Sequence, residues 1–222
     1  DAAHQLRTPL TLLGTQLQFA RQHGGIEPGL AEALAAMHRS NRSMVGLTNK
    51  LLLLAQAEAA DYTRLASEPA DLAAIAKDVA EDLALLAQTR EIDLGAELDG
   101  PAPVTGHPGL LSALVANLVE NAIRYTQAGG HVTVAVRTDG ATATLVVSDN
   151  GPGIAPEARS RVFEPFYRAS ADTEGTGLGL AIVREIVQAH RGEITLEPGA
   201  GGRGVTATVT LAAARSPAQP EA

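Results

Sequence analysis

A stripe of polar side chains on one predicted helix could bind a metal ion and phosphate. In NLVENAIRYT (117–126), Asn117, Asn121 and Arg124 are spaced by four and three residues, which places them on one face of a helix. Two amide oxygens one turn apart can bind a hard cation such as Mg²⁺, which prefers oxygen ligands. Arg124 would add a positive charge for phosphate. The alternative is a solvated helix face, although asparagine is a mediocre helix former.

A carboxylate followed by two glycines ends a stretch that alternates like a strand. The motif DNGPGI (149–154) follows TLVVS, and Asp149 could accept a hydrogen bond from the amino group of a purine. Gly151 and Gly153 would let the backbone approach a ligand closely. The alternative is an ordinary turn, since Asn-Gly and Pro-Gly are strong turn formers.

A glycine-rich segment leads into another predicted helix. In GTGLGLAIV (175–183), backbone N–H groups at the start of the helix, together with the helix dipole, could bind an anion. The segment is not a P-loop, because no Gly-Lys-Ser/Thr follows. It is not a dinucleotide-binding fingerprint either, because Leu180 stands where that motif needs glycine. Glycine spacing alone does not identify the ligand.

One histidine is followed by a proline inside a helical pattern. His4 lies in HQLRTPLT (4–11), five residues before Pro9, and a proline in a helix removes a backbone hydrogen bond and can bend the helix. A lone histidine is more often structural than functional. We interpret the other five histidines as surface or structural residues because they show no ligand spacing: His23, His38, His107, His131 and His190.

The composition excludes several classes of protein. The 222 residues carry a net charge of −8 and are 45% hydrophobic, so a sizeable core is possible and a non-specific nucleic-acid binder is not expected. The absence of cysteine excludes disulfides and thiolate metal sites. No apolar run approaches the roughly 20 residues of a membrane helix, and no signal peptide opens the chain. Because a helical pattern already surrounds His4, we expect the chain to be a piece of a longer protein.

Residues 1–60 are predicted to form two helices. Apolar residues recur at alternating spacings of three and four on both sides of the break HGGIEPG (23–29), which places them along one seam of each helix. Two helices joined by a Gly/Pro turn form an antiparallel hairpin. One such hairpin buries too little surface to be stable alone, so we predict a homodimer in which two hairpins form a four-helix bundle. Asn41 and Thr48 on the seam would set its register.

The rest of the chain is predicted to be a separate α+β domain. Residues 61–70 interrupt the helical pattern with polar residues and Pro69, which predicts a linker. Helical patterns then alternate with extended ones, which predicts an α/β sandwich over residues 71–212, a mixed sheet with helices on one face. Residues 213–222 are predicted to be a disordered tail. The predicted helices are 71–88, 107–126 and 178–190, and the predicted strands are 91–98, 131–137, 141–149, 193–198 and 204–212.

Five motifs in this order resemble the H, N, G1, F and G2 boxes of bacterial sensor histidine kinases: HQLRTPLT, NLVENAIRYT, DNGPGI, FEPFYR and GTGLGLAIV. The resemblance covers residues 1 to about 212. It implies a dimerisation and phosphotransfer hairpin followed by an ATP-binding domain of the Bergerat type, which is also found in gyrase, MutL and heat-shock chaperones. It also implies a mobile lid over residues 155–174, anchored by Phe163 and Phe166.

The resemblance implies that His4 accepts the γ-phosphoryl group of ATP and passes it to an aspartate in the receiver domain of a response regulator. Gln5 stands where the family most often has an acid, and an amide there can orient the imidazole but cannot take its proton. Thr8 lies one turn from His4, at the position that in relatives orients the water that dephosphorylates the regulator. Arg168 would contact phosphate.

In the ATP-binding domain, the resemblance implies that Asn121 ligates Mg²⁺ with help from Asn117. Arg124 and Tyr125 would line the nucleotide, and Asp149 would bind adenine. The other nucleotide-binding residues that it implies lie in the G1, F and G2 motifs: Gly151, Gly153, Ile154, Phe166, Gly175, Thr176, Gly177, Leu178, Gly179 and Leu180.

Two other functions are compatible with parts of the pattern. One is a Bergerat-type ATPase, but such ATPases usually carry Glu four residues before the metal-binding Asn, where this chain has Asn117. The other is a dimeric scaffold that binds a regulator and has a vestigial nucleotide site, which failure to bind ATP would reveal. The resemblance also implies the cytoplasmic portion of an inner-membrane receptor, anchored by segments outside this chain.

Overall fold

The structure, a computed structural model, describes residues 69–168 and 176–214, together with scattered positions between 15 and 55. The chain divides into two compact units, Asp1–Ala55 and Gln56–Ala222. The described positions of the first unit are all helical. Among the helices of the described residues, none is long and apolar enough to cross a membrane. The predicted site residues His4, Gln5, Thr8 and Gly175 lie outside the described residues.

The second unit is a mixed sheet with helices packed on one face, which confirms the predicted α+β sandwich. Its described residues form three α-helices: α1 (Leu72–Thr89), α2 (Pro108–Tyr125) and α3 (Gly179–Ala189). The strands are β1 (Pro69–Asp71), β2 (Asp93–Leu98), β3 (Pro103–Thr105), β4 (His131–Thr138), β5 (Thr142–Asp149), β6 (Glu193–Pro198) and β7 (Val205–Ala212). In the large sheet the order is β2-β4-β5-β7-β6. Strand β2 pairs parallel with β4, and the other three pairs are antiparallel.

The helix-facing side of the sheet is apolar because its strands alternate with a period of two. Val136, Leu145 and Val209 pair across β4, β5 and β7, and each is buried. Thr144 and Thr208 occupy intervening positions and are half-buried. Helix α2 lies against β4 and β5 and contacts both α1 and α3. A register slip of one residue would exchange the two faces of a strand, so this alternation specifies the pairing that positions the strand ends.

A two-stranded sheet that the sequence did not predict pairs β1, just before α1, with β3, which follows β2. Pro69 and Ala70, the last residues of the predicted linker, pair antiparallel with β3. Strands of three residues that begin with proline resemble chain breaks in a sequence, because proline removes a donor and so short a run shows no alternation. Asp71 then caps α1, since its Oδ1 accepts hydrogen bonds from Ala73 N at 3.0 Å and from Ala102 N at 2.9 Å.

Helices α1 and α3 end in the same backbone motif, which requires one residue in the left-handed conformation. After α1, Ile92 N donates to Ala87 O at 2.9 Å and Glu91 N donates to Gln88 O at 3.0 Å, the two bonds of a Schellman cap. Glu91 has φ 56° and Arg191, at the same position after α3, has φ 54°. Glycine is the usual residue there, so both helix ends carry backbone strain.

Candidate nucleotide-binding site

The two asparagines of the polar stripe on α2 lie beside the first residue of α3. A Cβ added to Gly179 would lie 3.1 Å from Asn121 Nδ2, and 3.3 Å from each of Asn117 Oδ1 and Asn121 Oδ1. Contacts of this length are tight for a carbon atom, so the absence of a side chain at position 179 leaves the amides accessible. The fold thus brings the asparagines next to the glycine-rich segment GTGLGLAIV (175–183). Asn121 and Gly179 are 58 residues apart in the sequence.

Asn117 is more buried than a polar stripe predicts. It is 7% exposed, which excludes the solvated-face interpretation for this residue. Its Nδ2 donates to Ala113 O at 2.7 Å, and this bond to the preceding turn fixes the orientation of the amide. The oxygen Oδ1 is therefore directed to the other side, beside Gly179. With the half-buried Asn121, it forms a pair of amide oxygens of the kind that Mg²⁺ accepts.

Asp149 occupies an inward position at the end of β5. Ala143, Leu145 and Val147 are the preceding inward residues and all are buried, so the alternation directs the carboxylate toward the apolar, helix-covered face. Its Oδ1 accepts hydrogen bonds from Gly151 N at 2.9 Å and from Val205 N at 3.3 Å. Oδ2 accepts no hydrogen bond from the residues that the structure describes. Burial raises the pKa of Asp149 above 3.8, although these two hydrogen bonds act in the opposite direction.

The glycines after Asp149 leave no room for side chains. A Cβ on Gly151 would lie 3.0 Å from Asp149 Oδ1 and 3.0 Å from the carbonyl oxygen of Tyr125, so the G1 loop passes directly over the end of α2. Gly153 has φ 80° and approaches Gly204, which has φ 76°. A Cβ on Gly204 would collide with the carbonyl group of Asp149. These contacts place the loop, the end of β5 and the start of β7 around one carboxylate.

Arg124 and Tyr125 lie in the last turn of α2, next to this loop. The side chain of Arg124 is half-buried and that of Tyr125 is exposed. The carbonyl oxygen of Arg124 accepts a hydrogen bond from Arg90 Nη1 at 3.3 Å, which joins the end of α2 to the end of α1. Ile154, at the other end of the G1 loop, is half-buried, and its carbonyl oxygen accepts from Arg159 Nε at 3.3 Å.

The F and G2 motifs contact each other through their backbones. Phe166 N donates to Gly177 O at 2.9 Å, and a Cβ on Gly177 (φ 71°) would lie 2.7 Å from Phe166 C. Phe166 itself has φ 65° and its side chain is 60% exposed, so the backbone and not the ring makes this contact. Arg161 stacks on the ring of Tyr167, 4.4 Å from the centroid.

The other predicted residues of these motifs differ in exposure. Leu178 is fully buried and immediately precedes α3, whereas Leu180 is half-buried. Thr176 is half-buried, and its Oγ1 is a buried atom with no hydrogen-bond partner among the described residues. Arg168 is exposed. Phe163, predicted as a lid anchor, is half-buried.

Several residues of the site were not singled out in the sequence. Gly204 and Val205 contact Asp149 from 55 and 56 positions further along the chain, and the sequence predicts them only as the start of the strand 204–212. His131 and Asn150 form two side-chain hydrogen bonds next to Asp149. Local periodicity carries no signal for such contacts because they join separate strands.

Known protein families match both units of the chain. The His Kinase A (phospho-acceptor) domain matches residues 1–60, and the family described as histidine kinase-, DNA gyrase B-, and HSP90-like ATPase matches residues 106–215. Sensor protein kinase PmrB of Pseudomonas aeruginosa is 40% identical over 213 residues, which are 95% of this chain and 44% of that protein. Sensor histidine kinase RppB of Synechocystis is 38% identical over 220 residues, 95% of this chain and 47% of that protein. The chain therefore spans less than half the length of these curated relatives.

Solved structures of histidine kinases are also similar to this chain. The mycobacterial sensor histidine kinase MprB is 32% identical, with a TM-score of 0.58, over 66% of this chain and 97% of that one. Full-length ShkA, solved in complex with AMPPNP, is 29% identical, with a TM-score of 0.77, over 97% of this chain and 46% of that one. The ShkA match extends over both units, and the names of these proteins agree with the family that the five motifs resemble. The chain belongs to the sensor histidine kinases.

Proposed function

We propose that this chain is the catalytic core of a sensor histidine kinase, which autophosphorylates His4 from Mg–ATP and passes the phosphoryl group to an aspartate of a response-regulator receiver domain. The observation that carries the proposal is the meeting of Asn117 and Asn121 with Gly179 at the start of α3, with the carboxylate of Asp149 at the neighbouring strand end. Amide oxygens suit a hard cation, a helix N-terminus suits phosphate, and a carboxylate suits a purine amino group. Mg–ATP has all three parts.

Asp149 would discriminate adenine from guanine. Its Oδ1 is occupied by the N–H groups of Gly151 and Val205, which leaves Oδ2 to accept a hydrogen bond from the exocyclic amino group of adenine. Guanine carries a carbonyl oxygen at that position, and two acceptors would then face each other. Asp149 is half-buried, and a bound base would shield its carboxylate from water, so an unmatched pair of acceptors there would weaken the binding of guanine.

The phosphate end of the nucleotide would lie against α2 and α3. Asn121 and Asn117 would hold Mg²⁺ through their amide oxygens, and Mg²⁺ when bound neutralises charge on the phosphates. The N–H groups of Gly177, Leu178 and Gly179 lie at the start of α3, where the helix dipole favours an anion. Arg124 would add a positive charge from the end of α2.

His4 would react through a neutral ring nitrogen. The nitrogen attacks the γ-phosphorus, the bond from phosphorus to the β–γ bridging oxygen breaks, ADP leaves, and the ring proton passes to solvent or a base. Gln5 would orient the imidazole through a hydrogen bond, and Pro9 would let the helix bend beside it. Two chains would form a homodimer through the residue 1–60 hairpins, with the response regulator docking near His4.

Asn117 supports phosphotransfer over direct hydrolysis of ATP. A Bergerat-type ATPase would use a carboxylate at this position to take a proton from the attacking water. An amide cannot do so, and the Nδ2 of Asn117 is already bound to Ala113 O. A histidine nucleophile needs no water to be activated.

Incubation of the chain with γ-labelled ATP and Mg²⁺ tests the proposal. We expect label on the protein that is stable in base and lost in acid, as phosphohistidine is, and no label on the His4→Gln variant. That variant should bind ADP as the wild type does, because the nucleotide pocket lies in the other unit. Labelling of His4→Gln, or base-labile label on the wild type, would refute the assignment of His4.

Thr8 would take part in a second activity, the dephosphorylation of the regulator. A hydroxyl one turn from His4 shares its helix face and could hold a water in line with the phosphorus of a phosphoaspartate. We expect Thr8→Ala to keep autophosphorylation within a few-fold of wild type and to slow the decay of the phosphorylated regulator at least about tenfold, or about 1.4 kcal/mol of barrier. Equal decay rates would remove Thr8 from the mechanism, and an equal loss of kinase activity would indicate a damaged helix.

A further inference from the structure

The chain leaves the sheet directly after Asp149. At that point the side chain of Asn150 accepts a hydrogen bond that a backbone carbonyl group would accept in a regular strand pair. Asp149 and Val132 are the last paired residues of β5 and β4. At the next position, Asn150 N donates to His131 O at 3.4 Å. The return bond from His131 N goes to Asn150 Oδ1 at 2.9 Å instead of to a backbone carbonyl. The backbone of Asn150 is thereby released from the ladder and turns into the loop that contains Gly151.

The imidazole of His131 binds the other end of the same amide. Asn150 Nδ2 and His131 Nδ1 are 2.9 Å apart. Because Oδ1 already accepts from a backbone N–H group, the amide can have only one orientation, so Nδ2 donates and Nδ1 accepts. This contact requires the His131 tautomer that carries its proton on Nε2. One residue of β4 thus holds both polar atoms of the Asn150 side chain.

The residue before His131 leaves space for this pair of hydrogen bonds, which we call the Asn150–His131 clamp. A Cβ on Gly130 would lie 2.7 Å from Asn150 Oδ1 and 2.9 Å from Gln127 O, and would collide with the methyl group of Thr126. Thr126 follows the last residue of α2. The clamp is therefore packed against the connection that leaves α2, which begins nine residues along the chain from Asn117.

The loop depends on the clamp because its next residue is glycine. Gly151 N donates to Asp149 Oδ1 at 2.9 Å, and this bond, together with the longer one from Val205 N at 3.3 Å, leaves Oδ2 for a ligand. A glycine has little steric restriction of its own φ and ψ. The direction in which Gly151 N points must then be set by the residues on either side, and Asn150 is the one that is tied to the sheet.

We infer that Asn150 and His131 are positioning residues for base recognition: the clamp holds Asp149 and Gly151 in the arrangement that discriminates adenine from guanine. The inference rests on the proposed function, in which Asp149 binds adenine. It adds a property that the proposal does not contain, because the clamp should affect the base end of the nucleotide and leave the phosphate end on α2 and α3 unchanged. Neither side chain would touch the nucleotide.

The test compares affinities of the full chain for Mg–ADP and Mg–GDP by calorimetry. In the wild type we expect a clear preference for ADP. Asn150→Ala should reduce the ratio of the two affinities about fivefold or more, the factor that corresponds to a typical hydrogen bond of about 1 kcal/mol. Affinity for Mg–tripolyphosphate, which has no base, should be the same in both proteins. A general loss of structure would lower all three affinities together.

Two matched substitutions of His131 test the inference independently if Asn150→Ala folds poorly. His131 is exposed, so substitutions there should fold. The Oδ1 of an asparagine stands where Nδ1 stands in histidine and can accept from Asn150 Nδ2, whereas a leucine of similar shape cannot. We expect His131→Asn to keep the wild-type preference for ADP and His131→Leu to weaken it. The double variant His131→Leu with Asn150→Ala should be no weaker than Asn150→Ala alone, because the two residues act through one contact.

Asp149→Asn separates failure of the inference from failure of the proposed function. If Asp149→Asn leaves the preference for ADP unchanged, Asp149 does not bind adenine and the proposed function is wrong at that point. If Asp149→Asn abolishes the preference while Asn150→Ala and His131→Leu both retain it, the clamp has no positioning role and the inference is overturned. Equal behaviour of His131→Asn and His131→Leu would likewise remove His131 from it.

Discussion

Replacing Gly179 by alanine should separate the stability of the domain from its ability to bind Mg–nucleotide. Gly179 is the first residue of α3, and its φ is not among the positive values. Alanine is therefore compatible with the backbone. In a helix, alanine is favoured over glycine by about 0.8–1 kcal/mol, and part of this gain applies at the first helical position.

The added methyl group would lie in the wrong place for function. It would be 3.1 Å from Asn121 Nδ2 and 3.3 Å from the amide oxygens of Asn117 and Asn121, so the amides must move by a few tenths of an ångström. Displacing a metal ligand, or the group that orients it, typically costs 10–100-fold in metal affinity or activity, which is about 1.4–2.7 kcal/mol. We expect the free energy of unfolding to change by less than about 1 kcal/mol and Mg–ADP affinity to fall 10–100-fold.

The assay is urea unfolding together with calorimetric titration of ADP with and without Mg²⁺. Gly95→Ala is the matched control, because a Cβ there meets nothing within 4 Å and the residue lies in β2, away from the site. Gly95→Ala should bind Mg–ADP as the wild type does. Unchanged affinity in Gly179→Ala would show that the two amides do not hold the metal. A loss that is equal with and without Mg²⁺ would show that the methyl group obstructs the phosphates directly.

Three further substitutions test the energetics of the unliganded domain. Burial holds the pKa of Asp149 above 3.8 in the folded state, so ionisation of this carboxyl destabilises the fold as the pH rises through that pKa. Asp149→Asn should therefore raise the urea midpoint at pH 7. Below pH 3.8 the variant should no longer be more stable than the wild type. Burial lowers the pKa of His190 below 6.5, so its contribution is complete above pH 6.5 and is lost as the pH falls through the lowered pKa. His190 Nε2 accepts from His107 N at 3.2 Å, and His190→Gln, which keeps an acceptor, should flatten the melting temperature between pH 7.5 and 5. Glu91→Gly should increase the unfolding free energy by about 0.5–1 kcal/mol by removing left-handed strain; an unchanged urea midpoint would contradict this.

The long elements of the fold could be predicted because each has a strong period. Helix α2 was predicted at 107–126 and is Pro108–Tyr125, and β5 was predicted at 141–149 and is Thr142–Asp149. The types of the site residues were also informative: amides in a helix, a carboxylate at a strand end and glycines before a helix are unusual choices for structure alone. The resemblance of the five motifs to sensor histidine kinases, and not spacing alone, implied that Asn121 and Asp149 bind one ligand.

The remaining features depend on contacts between distant segments. The period of α2 places Asn117 on a polar stripe, yet in the folded domain it is only 7% exposed. Val205 N reaches Asp149 from 56 residues away, and Asn150 meets His131 across a strand pair. None of these contacts changes the local pattern of apolar and polar residues, so no window of sequence can reveal them.

The site lies where residue choice contradicts local structure. Asp149 is the fourth inward position of β5, after three buried apolar residues, and any aliphatic side chain would satisfy the strand better. Asn117 occupies a buried position of α2 that leucine or alanine would fill more favourably, and Gly179 begins a helix without the stability of alanine. Each of these residues alone could be a chance departure that the fold tolerates. Folding brings Asn117 beside Gly179 and passes the loop after Asp149 over the end of the same helix. This arrangement supports the proposal that the three residues bind one nucleotide, since residues that lower stability are expected at binding sites.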